Sequence, residues 1–337
     1  MPRSSRLTLI APNVGIAPSA AQSSGTSENL PLLARIGTRG ERARVWRAGT
    51  AEEARLESWQ RALLRALKLD ESTHPSAAIS AIGAQLSNEA QEWWHATPIH
   101  LAAGLNEVAL VPLERELALS DDDMESLKPT LASHLDEGQL RLHTIDRDWL
   151  IAANEYWQFE SVTVRFASIH DWNAALPKGA DAGRLRRLIT ELQMVLHDHR
   201  VNDLRAARGL PSANAVWIWG NGRISSNVQS AKSAFVVGAR PFVRGLRVLH
   251  ALDGADSANA ESLVEKSSTQ EMVVGVIETA DMNQLESQWL TPLVAALKQG
   301  RFETLELIID EWQITLSRSQ LRRFWRRDQP VKEWLVQ

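Results

Sequence analysis

The chain has 337 residues, of which 44% are apolar and 23% charged, with a formal net charge of −4 and no cysteine. That length buries a substantial core in one large domain or two ordinary ones. The charge balance gives no case for nucleic acid or an anionic membrane as a general partner, and the missing cysteines exclude disulfides, thiolate catalysis and Cys-ligated zinc. No apolar run approaches the ~20 residues that span a bilayer. The basic N-terminus leads into an apolar run too short for a signal-peptide core, so a cytoplasmic location is expected.

In chain order, residues 7–11 predict a buried strand, followed by a Pro/Gly/Ser-rich loop to about 27 and a short helix over 29–37. Leu56, Trp59, Leu63, Leu64 and Leu67 share one face at helical spacing. Residues 93–113 predict paired strands turning at Gly104-Leu105-Asn106. Ser120-Asp121-Asp122-Asp123 predicts a helix N-terminus, with the helix running to about 136. Successive helical residues point in different directions, so the three aspartates suit a solvated cap better than a metal site. Strands are expected at 140–144, 149–152 and 161–166. Leu185, Leu188, Ile189, Leu192, Val195 and Leu196 then define a long helix.

The stretch 192–222 organises the rest: the end of that helix, a polar turn, and the apolar strand 215–219 entering Gly220-Asn221-Gly222. Beyond it come a strand at 234–237, a helix at 241–251, a polar loop over 253–270, a strand at 272–277, a helix at 283–298, a strand at 304–309 and a basic tail.

Several clusters carry chemistry as well as a structural reading. His197 and His199, at i and i+2 around Asp198, suit capping better than metal binding on a helix. Gly220-Asn221-Gly222, with Arg200, Arg205, Arg208 and Asn214, suits either an anion site or a tight turn beside surface arginines. Arg322, Arg323, Arg326 and Arg327 flank Phe324 and Trp325; an amphipathic C-terminal helix docking its aromatics accounts for them better than nucleic-acid stacking. Thirteen tryptophans beside one tyrosine are read mainly as packing.

Arg200-Val201-Asn202, the run from Arg208 to Asn214 (RGLPSAN) and Trp217-Ile218-Trp219-Gly220-Asn221-Gly222 resemble the archaeal-type cofactor-independent phosphoglycerate mutases, in a divergent bacterial form. The resemblance extends at low specificity over most of the chain. Residues 29–37, 56–70 and 238–252 are similar to family helices, and the TPIHL and NEVALVP runs to the start of its insertion domain. It implies an α/β fold with an alkaline-phosphatase-like core at 1–91 and 183–337, and an α+β subdomain inserted at 92–182. It also implies phosphoryl transfer through a Ser or Thr with two divalent metals held by Asp and His.

The ligand residues do not carry over. Ala11-Pro12-Asn13 stands where the family has Asp-Gly, Ser58 is followed by Trp59 rather than Asp, and no histidine occurs after His250. The leading expectation is therefore a phosphoglycerate-mutase-like binding or regulatory scaffold without bimetal catalysis and without a cofactor. Its candidate site for a phosphorylated small molecule comprises Arg200, Asn202, Arg208, Asn214, Gly220 and Gly222. One alternative is an active mutase or phosphatase with Ser58 as nucleophile and Asp281, Asp310 and Glu311 holding Mg²⁺ or Mn²⁺. The other is an interaction module that takes a protein partner through the Trp/Arg-rich C-terminus.

Overall fold

The computed structural model describes residues 5–12, 14, 30–44, 53–86, 90–104, 108–114, 117–145, 148–224, 233–279, 281–323 and 325–335. Its strands are β1 (Arg6–Ala11), β2 (Glu41–Arg44), β3 (Glu92–Ala103), β4 (Val108–Pro112), β5 (Leu140–Ile145) and β6 (Asp148–Ala153), then β7 (Ala215–Trp219), β8 (Phe235–Val237), β9 (Asp253–Ala255), β10 (Met272–Val276), β11 (Thr304–Ile309) and β12 (Trp312–Ser317). They form two sheets in an α/β protein. The chain divides into two compact units, Met1–Arg47 with Ser58–Glu71 and Gln229–Gln337, and Ala48–Glu57 with Ser72–Val228.

The first unit carries a seven-stranded sheet in the order β2-β12-β11-β1-β10-β8-β9. β1 runs parallel to β10 and β11, and β10 to β8. β12 and β2 complete one side antiparallel. Every residue of β1 after Arg6 is buried, as a central strand covered on both faces requires. This explains why LTLIA reads as an apolar run and not as an alternation.

The helix Pro31–Arg39 shows how distant residues complete a local element. Its N-cap, Leu30, offers no side-chain acceptor, and its first residue is proline. Glu286 supplies what is missing, accepting from the N–H groups of Leu32 (3.2 Å) and Leu33 (2.8 Å). Glu286 lies in a π-helical turn, Leu285–Leu290, which continues as the helix Thr291–Gln299. At the other end, Arg326 donates to the Thr38 carbonyl (3.0 Å) and Arg323 to that of Arg39 (3.2 Å). A carboxylate at the N-terminus and guanidinium groups at the C-terminus both complement the helix dipole. Replacing Glu286 with alanine should cost about 1–2 kcal/mol in urea denaturation. A change below about 0.3 kcal/mol would show that the cap contributes nothing.

The tail is thereby corrected. It forms a 3-10 turn at Gln320–Arg322 and a helical turn at Lys332–Leu335 in place of one amphipathic helix. Trp325 is 68% exposed, whereas Trp334 is buried; Phe324 lies outside the described residues. Arginine side chains expected in solvent cap a helix instead. The 253–270 loop also contains β9 and a helix, Ala260–Ser267, whose Asn259 and Ser262 form a capping box.

The second unit contains a sheet in the order β4-β3-β6-β5, with β7 on β3. His95 pairs with Leu150 of β6 and Trp219 of β7, and Ile99 with Pro112 of β4 and Ala215 of β7. β7 therefore lies on the side of β3 opposite β4 and β6. The helices Asp121–Glu137 and Ala182–His197 share a core with Trp94, Trp149, Trp157 and Ile218. Ser120 and Asp123 form the capping box of the first of these.

Residues 183–224 fall in the same compact unit as β3, to which β7 is hydrogen-bonded. One expectation fails here: the strand expected at 161–166 is instead the helix Val164–Ile169, capped by the Thr163 hydroxyl accepting from Phe166 N–H. Its β-branched start outweighed the capping signal. Among the described residues, eight tryptophans, Trp59, Trp93, Trp94, Trp149, Trp157, Trp217, Trp219 and Trp334, are buried, in agreement with the packing reading. No helix among the described residues is long and apolar enough to cross a membrane.

Candidate functional site

Two places qualify: the edge of the first sheet where its parallel strands end, and the turn after β7. Ligands of open α/β sheets bind outside the carboxyl ends of the strands. At that edge, Asp310 and Glu311 form the turn between β11 and β12, and Asp281 follows β10. Ser58 opens the helix Ser58–Leu67, half-buried. Its neighbour Trp59 packs edge-on against Phe242 and beneath the Arg240 guanidinium, 5.0 Å from the ring centre.

The acidic side chains of this edge serve protein partners. Glu278, just past β10, bonds Arg240 at 3.1 Å. Asp256, just past β9, accepts from Arg244 at 2.9 Å and from Arg247. Hydrogen bonds from these two arginines hold its carboxyl below the usual range. Asp281 accepts from Gln284 N–H at 2.8 Å as a helix cap, and Glu286 caps a second helix.

β10 and β11 are separated by β1, so Asp281 and Asp310 start from strands about 10 Å apart. Among the described residues, no three His, Cys, Asp or Glu side chains form a group able to hold a metal ion. Of the donor set Asp281, Asp310 and Glu311, Asp281 is engaged as a helix cap, and no step through a metal is derived. Asn13, at the first expected metal turn, lies outside the described residues.

The run 200–222 is closely knit by hydrogen bonds within the protein. It begins with a helix, Arg200–Ala207, where a polar turn was expected. His199 caps it, its Nδ1 accepting from Val201 N–H at 3.2 Å. Asn202 donates to the carbonyls of Leu196 (2.8 Å) and Ala213 (3.3 Å) and accepts from Ala213 N–H (2.8 Å). Asn214 brackets the Leu101 backbone, accepting at 2.7 Å and donating at 3.0 Å.

Arg205 is fully buried and donates to three carbonyls. Arg208, with a side chain 47% exposed, reaches Asp123 at 3.1 Å, as Arg205 does at 3.4 Å. Burial pushes the Asp123 carboxyl up, but bonds from Ser120 and Arg208 and the Arg208 charge outweigh it, so the net shift is downward. Of the six proposed ligand residues, Asn202 and Asn214 are held by backbone, Arg208 by Asp123, and Arg200 is exposed. The arginines that converge do so on a carboxylate of the protein itself.

Gly220 and Gly222 adopt φ of +72° and +142°, so the turn does need glycine. Its role is packing. The Gly220 carbonyl accepts from Ala77 N–H at 2.9 Å, and Asn221 donates to the Phe159 carbonyl at 2.8 Å. Beneath it, His95 stacks on Trp219, with ring centroids 4.3 Å apart, and its Nε2 lies 2.9 Å from Ser76 Oγ. Burial drives the His95 pKa down to about 3 against an opposing Ser76 hydrogen bond, so the ring is neutral at physiological pH. No signal in the sequence paired Ser76 with His95, nineteen residues apart.

Comparison with known proteins adds a local relationship. No family model matches the chain. A probable 2,3-bisphosphoglycerate-independent phosphoglycerate mutase of Geobacter sulfurreducens is 35% identical over 82 residues, which is 23% of this chain and 21% of that protein. The chain thus spans about a fifth of the length of the curated relative it matches. Among solved structures, a cofactor-independent phosphoglycerate mutase from Thermoplasma acidophilum aligns at 14% identity and a TM-score of 0.42, over 93% of this chain and 90% of that one. The PH0037 protein from Pyrococcus horikoshii aligns at 14% identity and a TM-score of 0.43, over 94% and 88%. In the sequence of this matched quarter, the chain resembles the cofactor-independent phosphoglycerate mutases.

Proposed function

We propose that this protein is a phosphoglycerate-mutase-like scaffold that does not run two-metal phosphoryl transfer and acts by binding. One observation carries the reading. Along the strand-end edge, Asp256, Glu278, Asp281 and Glu286 bind arginines or helix N-termini, while two-metal transfer requires carboxylates and histidines converging on a shared centre. The absence of any histidine after His250 supports the same conclusion.

A regulatory role and a phosphorylated ligand at 200–222 remain part of the proposal. Arg208 gives Nε to the Leu204 carbonyl and Nη2 to Asp123, and Arg200 and Arg208 are both exposed. The test is interconversion of 3- and 2-phosphoglycerate by the full chain with Mn²⁺ supplied, followed by a coupled assay. The expected result is no turnover beyond that of Ser58→Ala. Turnover that vanishes in Ser58→Ala would overturn the reading in favour of an active mutase with an altered site.

A further inference from the structure

Arginine pairs in this protein meet on carboxylates: Arg244 and Arg247 on Asp256, Arg61 and Arg65 on Glu71, Arg205 and Arg208 on Asp123. One larger cluster, in the first unit, is built differently. Residues 35–44 and 320–329 hold eight arginines against two carboxylates, in a chain whose formal net charge is −4.

The two segments are fixed against each other. β2 pairs with β12, which leads into the tail. Gln329 N–H donates to the Thr38 hydroxyl at 2.9 Å, and the Arg39 guanidinium to the Leu321 carbonyl at 2.6 Å.

Neutral groups hold these arginines in place. Arg323 and Arg326 donate to carbonyls at the end of the helix Pro31–Arg39, and Arg42 donates to the Gln329 side-chain oxygen at 3.1 Å. The Arg42 and Arg44 guanidinium groups lie over the rings of Trp334 and Trp312, at 5.5 and 5.0 Å from the ring centres. A carbonyl or an indole orients a guanidinium without cancelling its charge. Of the two carboxylates, Asp328 pairs with Arg35 at 3.6 Å, and Glu41 accepts from Gln320 at 2.9 Å. Arg322, Trp325 and Arg327 are exposed.

We propose that this face, formed by β2, the end of the helix Pro31–Arg39 and the 320–329 tail, docks a short acidic segment of a partner protein. Its carboxylates would take the place that Asp256, Glu71 and Asp123 hold in the other clusters. Guanidinium forks match carboxylates with two parallel bonds, and arginine beside tryptophan is the composition of binding hot spots. The patch is small, since β2 spans four residues, about 13 Å. A long nucleic acid would run off it onto a surface that is acidic on balance, whereas a short acidic segment ends where the patch ends. The inference does not rest on the proposed function, because it uses no residue of the strand-end edge or of the run 200–222.

The experiment measures binding of fluorescein-labelled decaglutamate to the full chain by fluorescence anisotropy at about 50 mM salt, where surface charges are weakly screened. The peptide should bind, and the double variant Arg322→Glu, Arg327→Glu should weaken binding at least about tenfold. The control, Arg186→Glu with Arg187→Glu, changes the net charge equally at two exposed arginines of the helix Ala182–His197. It should change the affinity less than about twofold. Absence of binding, or equal weakening in the two double variants, overturns the proposal. So does tighter binding of decathymidylate than of decaglutamate, which would assign the face to nucleic acid. If the variant at 322 and 327 does not fold, hydrogen exchange of the wild type decides instead. Protection gained with decaglutamate in peptides covering 39–44 and 320–329 supports the proposal, and unchanged protection there overturns it.

Discussion

Replacing Arg205 with alanine will destabilise the second unit by about 3–5 kcal/mol, the range for removing one partner of a buried charge pair. The guanidinium donates to Pro211 O at 2.8 Å, Ala118 O at 3.2 Å and Leu117 O at 2.6 Å, and to Asp123 at 3.4 Å. It therefore joins the helix Arg200–Ala207 to the loop before β7 and to the N-terminus of the helix Asp121–Glu137. Alanine leaves those carbonyls without a donor in a site water does not reach. Lysine will not restore the loss, since one ammonium cannot reproduce a planar fork aimed at separate acceptors. Arg208→Ala is the control. It removes a bond to the same carboxylate from a half-exposed side chain, and should cost less than about 1 kcal/mol. Urea denaturation followed by tryptophan fluorescence measures all three. If Arg205→Ala costs no more than Arg208→Ala, the assignment of Arg205 as the buried tie is wrong.

Gly220→Ala should be nearly as damaging, at about 2–4 kcal/mol, from backbone strain and overpacking together. At φ +72° a side chain is strained, and a Cβ would stand 2.7 Å from His95 Cδ2 and 3.3 Å from Ser76 Cβ. His95 cannot yield easily, held between Trp219 and Ser76. Gly209 separates the two contributions. Its φ is +71°, yet a Cβ there meets nothing within 4 Å, so Gly209→Ala carries the backbone cost alone, about 1 kcal/mol. Equal losses in the two variants would show that the His95 contact contributes nothing.

The residues that made the fold legible are those whose burial repeats with a period. β7 and β10 are apolar runs, β1 after Arg6 and β11 after Thr304 are apolar but for one buried polar residue each, Thr8 and Glu306, and the helices Asp121–Glu137 and Ala182–His197 declare themselves by cap and stripe. Elements stabilised by distant partners escaped. β2 and β9 are short and polar at the sheet margins, and the helix Val164–Ile169 begins on residues that favour strands. Adjacency in sequence could not reveal that β7 pairs with β3.

The site was less legible for a related reason. Arginine, asparagine and glycine suit an anion in any sequence, but Asn202 and Asn214 turn inward to backbone and Asp123 takes the place of an external anion. Asp123 had been read as part of a solvated cap, and its second role depends on a contact eighty-five residues away. His95 carried no signal at all, since burial of a lone histidine is set by tertiary structure.

The position of β1 has a consequence for synthesis. Its neighbours are β10 and β11, where Arg6 meets Met272 and Thr304. As the chain leaves the ribosome, β1 must wait until Met272–Val276 has been made before either edge is paired, while the antiparallel β5–β6 pairing forms between residues close in sequence. Closure of so long a loop slows folding and leaves an apolar strand exposed to wrong partners. Expression of this protein should accordingly depend on chaperone supply and temperature, and a nonsense codon before β11 would leave one edge of β1 open in every molecule made.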